Sequence, residues 1–238
     1  MPTIAFVSPK GGAGKTTAAF LLSTALAKLY DVTVIDADPN QPIKTWATSG
    51  NAPPRLSIIS DVDEETIAER IDDAASKTPL VLVDLEGTAS MIALFAIARS
   101  DFVIIPTQGS QLDANEASRA ISVVLRSQKM TGKPTPYAVL LTRTSPTVRA
   151  RGLAHIQRSL SEAGIPVLRT ELNERDAFKA VFSFRQTLDQ LNPAEVPNLD
   201  KAKMNVWELA HEILERLKAE KGNGQEEGEA TTDVAGAA

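Results

Sequence analysis

The chain has 238 residues, 43% of them apolar, and a formal charge of −5, a size and balance that suit one globular domain with a three-layer core. It contains no cysteine, which excludes disulfides, thiolate metal centres and cysteine nucleophiles. No apolar run approaches the roughly 18 residues that span a bilayer, and Met1 to Val7 lacks the basic start of a signal peptide, so the expected location is cytoplasmic.

The elements are predicted in alternation. A β-branched run over 3–8 predicts the first strand, and an alanine- and leucine-rich pattern predicts a helix over 15–29. Between them stands Lys10-Gly11-Gly12-Ala13-Gly14-Lys15-Thr16-Thr17. Strand, glycine loop and helix form the context in which G-x-x-x-x-G-K-[ST] is a phosphate cradle. Glycines let successive N–H groups turn inward around anionic oxygens, and the helix N-terminus adds its positive end. Lys15 is expected to reach the β- and γ-phosphates, and the Thr16 hydroxyl to ligate Mg²⁺. A second lysine, Lys10, stands five positions before the usual one.

The next strand, 32–36, closes on Asp36 in Val34-Ile35-Asp36-Ala37-Asp38-Pro39. After a strand at 56–59 and a helix at about 63–76, the strand 80–84 closes on Asp84. An apolar strand ending in Asp beside such a loop is the Walker-B arrangement that holds Mg²⁺ next to the loop threonine. The lesser alternative, for Asp84 taken alone, is an N-cap of the following helix. Helices at about 89–99, 113–130, 147–163 and 174–184 then alternate with strands at 102–105, 137–142 and 166–168, with a loop at 131–136. Nearly continuous apolar strands alternating with helices predict a doubly wound, mostly parallel α/β sheet with helices on both faces and ligands at the strands' carboxyl ends.

The last predicted helix, 203–218, carries a stripe of Val206, Leu209, Ile213, Leu214 and Leu217. It reads as core packing and not as a membrane anchor, because the acidic segment behind it would be repelled by anionic lipid. Trp46 and Trp207 read as packing residues. Residues 1–218 are taken as one domain, and 219–238, acidic and without periodicity, as a disordered tail. In contrast, 117–161 holds eight bases and no acid. Such a stretch suits sequence-independent contact with DNA phosphates. Arg149, Arg151 and Arg158, with the later Arg175 and Lys179, are the candidate DNA-binding residues.

Together these motifs resemble the ParA/MinD family of deviant-Walker P-loop ATPases across residues 1–218. The resemblance implies that Lys10 crosses to the nucleotide of a second subunit, so that two ATP molecules are sandwiched in a homodimer. A cation supplied in trans would act there as an arginine finger does. It further implies that Asp38 positions the attacking water, that Asp36 supports Mg²⁺ and its waters, that Asp84 is the Walker-B residue, and that Arg143 lies near adenine. Asn40 stands where many members have Gln. With the loop beginning by residue 10, no helix-turn-helix domain is expected before it, and the chain resembles the short ParA type. Asn173-Glu174-Arg175-Asp176-Ala177-Phe178 resembles a segment of such proteins, including those of conjugative DNA-transfer loci.

The function expected from the resemblance is an ATP-dependent DNA-partitioning ATPase with ATP and Mg²⁺ as cofactors and a slow intrinsic hydrolysis. Its dimer would bind DNA non-specifically at the nucleoid and be released when a centromere-binding or adaptor protein stimulates turnover. The alternatives are a MinD-like membrane-associated ATPase, a positioner of a protein cluster or conjugation complex, and, more remotely, an ATP-dependent small-molecule synthetase. Nitrogenase-iron-protein and arsenite-pump types need cysteines that are not present here.

Overall fold

The structure is a computed structural model that describes residues 1–88, 90–145 and 151–234; for 111–114, 151–152 and 221–234 it describes the backbone alone. Its described strands are β1 (Thr3–Phe6), β2 (Val32–Ala37), β3 (Leu56–Ile59), β4 (Leu80–Leu85), β5 (Phe102–Thr107), β6 (Tyr137–Thr144) and β7 (Leu172–Asn173). They form one parallel sheet in the order β3-β2-β4-β1-β5-β6-β7. From β1 the chain builds outward to β2 and β3, returns to insert β4 beside β1, then crosses β1 to lay down β5, β6 and β7. The reversal of direction falls at β1, the position at which open α/β sheets take their ligands.

Because side chains alternate along a strand, each strand feeds two cores. Ile4, Phe6, Val34, Leu82, Ile104 and Leu140 face α1 (Lys15–Leu26), α2 (Pro42–Ala47), α7 (Asp176–Ser183) and α8 (Leu199–Val234). Ala5, Val7, Ile35, Val83, Val103 and Val139 face α3 (Ile67–Lys77), α4 (Met91–Ala98), α5 (Gln111–Thr131) and α6 (Arg151–Glu162). Helix α1 is buried on nearly every side, between the sheet and α8, which is why it shows no amphipathic stripe. The parity matters for the site. Val34 and Leu82 face α1, so Asp36 and Asp84, two residues further along, point to the same face.

Most elements lie where expected, and three do not. Helix α2 has no counterpart in the sequence reading. Its N-terminus is fixed by Asp36, whose Oδ2 accepts from the backbone N–H groups of Ile43 and Lys44, each at 2.9 Å. A carboxylate seven residues upstream is no local signal. The expected strand 166–168 shrinks to a single bridge between Val167 and Val139, with Val139 N–H donating to Pro166 O at 2.8 Å. Pro166 has no N–H to extend the ladder, and the sheet resumes at Leu172–Asn173, beyond a register shift between Thr142 and Thr144. Helix α8 is longer than expected and runs to Val234, through the acidic segment expected to be disordered. Three glycines in 221–234 weigh against helix, but adding turns to a formed helix is far easier than starting one. The stripe expected to pack does so: Val206, Leu209, Ile213 and Leu217 are buried in the core.

The β7 edge is covered by side chains of α8. Glu212 accepts from the backbone N–H groups of Arg169 and Thr170, both at 2.8 Å. Asn205 accepts from Asn173 N–H at 3.0 Å and donates to Glu171 O at 2.8 Å. Two side chains thus take the hydrogen bonds that a further strand would have made.

Candidate functional site at the carboxyl ends of the strands

The glycine loop leaves β1 after Val7, whose N–H still donates to Ile104 O at 3.0 Å. It ends at Gly14, the N-cap of α1, with φ 96°; Gly12 has φ 77°. Both values lie in the left-handed region, which costs an L-residue about 1–2 kcal/mol. A Cβ at Gly14 would meet Thr142 Cγ2 at 3.5 Å, an ordinary contact, so the positive φ is what favours glycine there. Three of the loop's carbonyls accept hydrogen bonds from side chains. Lys15 Nζ donates to Lys10 O at 3.3 Å, Gln108 Nε2 to Gly12 O at 2.9 Å, and Thr142 Oγ1 to Ala13 O at 2.8 Å.

Beside the loop lie the two strand-end carboxylates. Asp36 and Asp84 are register partners across β2 and β4, and Asp84 pairs in turn with Phe6 of β1. Asp84 is fully buried, and neither of its oxygens has a hydrogen-bond partner. Burial is the main reason its carboxyl is pushed up to about 7; Asp36 and Asp38 push the same way. The Thr16 hydroxyl, close by but short of a well-formed hydrogen bond, and the Lys15 ammonium pull it down. The Asp36 carboxyl is raised by burial against the opposing N–H groups of Lys44 and Ile43, and its Oδ1 is buried without a partner. Lys15, 6% exposed, is lowered by burial despite the carboxylates of Asp84, Asp38 and Glu86.

Three buried carboxylate oxygens without partners are a deficit that a cation fits. Oxygens of Asp84, Asp36 and Thr16 are hard donors of the kind Mg²⁺ takes. No group of three or more His, Cys, Asp or Glu residues that could hold a metal occurs among the described residues. The remaining ligands would therefore be water and phosphate, as is usual for this ion. The capping role weighed for Asp84 falls instead to Asp36 on α2, while α4 is capped by Ser90, whose hydroxyl accepts from Ala93 N–H at 3.3 Å. Asp38 is half-buried, and its Oδ1 accepts from both Asn40 N–H (2.8 Å) and Asn40 Nδ2 (3.0 Å). Asn40 therefore orients the carboxylate assigned to water.

Behind the loop is a recess of about 70 Å³, walled by Gly14, Thr17, Thr142, Arg143, Arg175 and Lys179, among others. Arg143 stands at the end of β6 with φ 52°. Arg175 Nη2 donates to Asn173 Oδ1 at 3.2 Å, its Nε is buried without a partner, and Lys179 pairs with Glu174 at 3.1 Å. Two of the expected DNA contacts, Arg175 and Lys179, thus lie beside the glycine loop with Arg143. Arg158 is exposed on α6; Arg151 begins that helix, and Arg149 lies outside the described residues. A larger groove of about 820 Å³ opens between the β7 edge and α8, but its buried groups, Glu212 and Asn205, are already paired with backbone. Chemistry gathers at the smaller recess.

Sequence reasoning missed Gln108 and Thr142. The available signal was a polar residue at or just after the end of an apolar strand, at the edge where the ligand sits.

A glycine loop between β1 and α1, a buried lysine in the first turn of α1 and two strand-end carboxylates with unpaired oxygens on one face define a P-loop nucleotide-binding protein. The family model described as VirC1 protein matches residues 1–206. Protein ParA of Rhizobium radiobacter is 34% identical over 218 residues, covering 91% of this chain and 98% of that protein. Protein virC1 of the same organism is 35% identical over 190 residues, covering 76% of this chain and 80% of that one. Among solved structures, a Cyanothece McdA variant in complex with ATP superimposes with a TM-score of 0.69 at 19% identity, over 87% of this chain and 95% of that one. The chain belongs to the VirC1 protein family, within the ParA/MinD P-loop proteins of the short ParA type.

Proposed function

We propose that the protein is an ATP-dependent DNA-partitioning ATPase whose ATP-bound dimer holds DNA and lets go after hydrolysis. The observation that carries this reading is the meeting of the glycine loop with the buried, unpaired oxygens of Asp84 and Asp36 on one face of the sheet. Phosphate oxygens would sit on the loop's N–H groups and on Lys15, whose burial strengthens its attraction to anions. A magnesium ion held by Thr16 and Asp84, with Asp36 behind, would neutralise charge on the phosphates. Asp38, held by Asn40, would align water for attack on the γ-phosphate. Lys10 would complete the site of the partner subunit, so that turnover requires two chains. Arg143 at the rim of the recess would meet the base.

DNA is the substrate class that fits the acid-free stretch 117–161, on which Arg126, Lys129 and Arg158 are exposed. Release after hydrolysis is a population shift set by the two states' different affinities. The test is ATP turnover by the full chain with Mg²⁺, with and without duplex DNA, alongside size analysis in ATP and in ADP. An ATP-dependent dimer that retains DNA supports the reading. Tight ATP binding without any turnover, even with DNA and a partner present, would make the protein a static scaffold.

A further inference from the structure

A phosphate cradle works only if its backbone N–H groups converge, and in a tight loop that turns the carbonyls outward. A buried carbonyl, here that of Ala13, then needs a donor, because a buried acceptor left unpaired costs about as much as a lost hydrogen bond. An exposed one, here that of Gly12, can be solvated but is fixed in direction by a donor from the chain. Here the donors come from elsewhere in the chain. Gln108, just beyond β5, reaches Gly12 O at 2.9 Å, and Thr142, buried in β6, reaches Ala13 O at 2.8 Å. The Thr142 hydroxyl has one proton; its second acceptor, Thr107 O, is further off at 3.4 Å, so the proton goes to the loop. Thr142 also backs Gly14, the residue that starts α1. The segment bearing Gln108 is held in its turn, since Leu153 packs on the Gly109 backbone, its Cδ1 2.9 Å from where a Cβ would lie. Lys15 holds a third carbonyl, that of Lys10, but its ammonium is the group that phosphate would claim.

We propose that Gln108 and Thr142 are positioning residues that hold the glycine loop in its phosphate-binding shape through their hydrogen bonds to its carbonyls. The inference rests on the reading of the loop as an ATP site. Both donate to carbonyls of the loop, whose N–H groups would hold the phosphates that ATP and ADP share. Loss of either donor therefore weakens both nucleotides alike, whereas a residue that reached the γ-phosphate or the attacking water would affect ATP alone.

The full chain is titrated calorimetrically with Mg²⁺ and either ATP or ADP. Thr142→Val keeps the side chain's shape and removes its donor, Thr142→Ser keeps the donor, and Gln108→Met keeps the length without the amide. Thr142→Val and Gln108→Met are each expected to bind ATP and ADP about fivefold more weakly, the effect of one hydrogen bond, while Thr142→Ser binds as the parent does. Gln108→Met should melt with the parent when nucleotide is absent, because its contact lies at the surface. Folded Gln108→Met and Thr142→Val proteins that bind both nucleotides like the parent overturn the proposal, as does a loss confined to ATP. If the parent binds ATP and Lys15→Ala does not, that failure leaves the ATP site standing. A folded parent that binds neither nucleotide refutes both readings.

Discussion

Asp84 is a carboxyl with no exposure and no hydrogen-bond partner. Such a group destabilises the fold that carries it, because burial penalises its ionised form by more than the Thr16 hydroxyl and the Lys15 ammonium offset. Asp84→Asn should therefore raise the melting temperature of the nucleotide-free protein, by roughly 2–4 °C for each kcal/mol recovered, while abolishing Mg²⁺-dependent turnover. A lowered melting temperature would mean that the carboxylate stabilises the empty site. Asp38→Ala removes the acceptor that Asn40 holds and should trap an ATP-bound dimer, visible by size analysis; fast turnover by that variant would refute the role in positioning water. At this scale much was legible. Lys15, Thr16, Asp36 and Asp84 announce themselves because each sits inside a short pattern whose chemistry is local. Gln108 and Thr142 do not, since their partners Gly12 and Ala13 are 96 and 129 residues away and no local spacing encodes such contacts.

Helix α2 shows how an element becomes invisible to periodicity. At six residues it is too short to display a period, and it begins at Gln41 with φ 45° and Pro42. Its stability comes from outside: Asp36 at its start, and Trp46, whose Nε1 donates to Val181 O at 3.0 Å and whose ring meets Phe20 edge-on at 4.6 Å. Trp46→Phe keeps an aromatic ring and loses the donor, leaving Val181 O with the Gln186 N–H at 3.1 Å. It should lower stability by about 0.5–1.5 kcal/mol, read by denaturant unfolding. The seven strands, by contrast, were almost all legible, because strands buried on both faces are continuous apolar runs that need no partner to be recognised. The exception, 166–168, lies where Pro166 interrupts the ladder. Between β7 and α8 the link is electrostatic. Burial alone would raise the Glu212 carboxyl, but the N–H groups of Arg169 and Thr170 and the Arg216 guanidinium hold it below its usual range. A carboxylate lowered on folding contributes stability that is present above its unfolded pKa and is lost as pH falls through the lower, folded value. Stability should therefore fall off in acid, below about pH 4.3, more steeply in the parent than in Glu212→Gln, as a pH series of unfolding curves would show.

At the scale of the whole molecule, the sheet gathers nucleotide chemistry at the carboxyl ends of its strands and leaves exposed cations on α5 and α6. Among the described residues, no helix is long and apolar enough to cross a membrane. The separation makes two charge reversals diagnostic. Arg158→Glu, on the exposed face of α6, should weaken DNA binding several-fold and flatten its salt dependence by about one counterion, leaving ATP affinity unchanged. Arg175→Glu, in the wall of the recess beside Gly14 and Thr17, should change ATP affinity first. Equal effects of the two on DNA alone would mean that the recess is not part of the nucleotide site. The covered edge has a consequence of its own during synthesis. Strand β7 leaves the ribosome before the Asn205 and Glu212 that cover it, so for the interval between them the nascent chain offers an open row of N–H groups to any extended neighbour. A chain terminated ahead of Asn205 would keep that row open permanently, and its fate should be self-association through strands where the full chain stays dispersed.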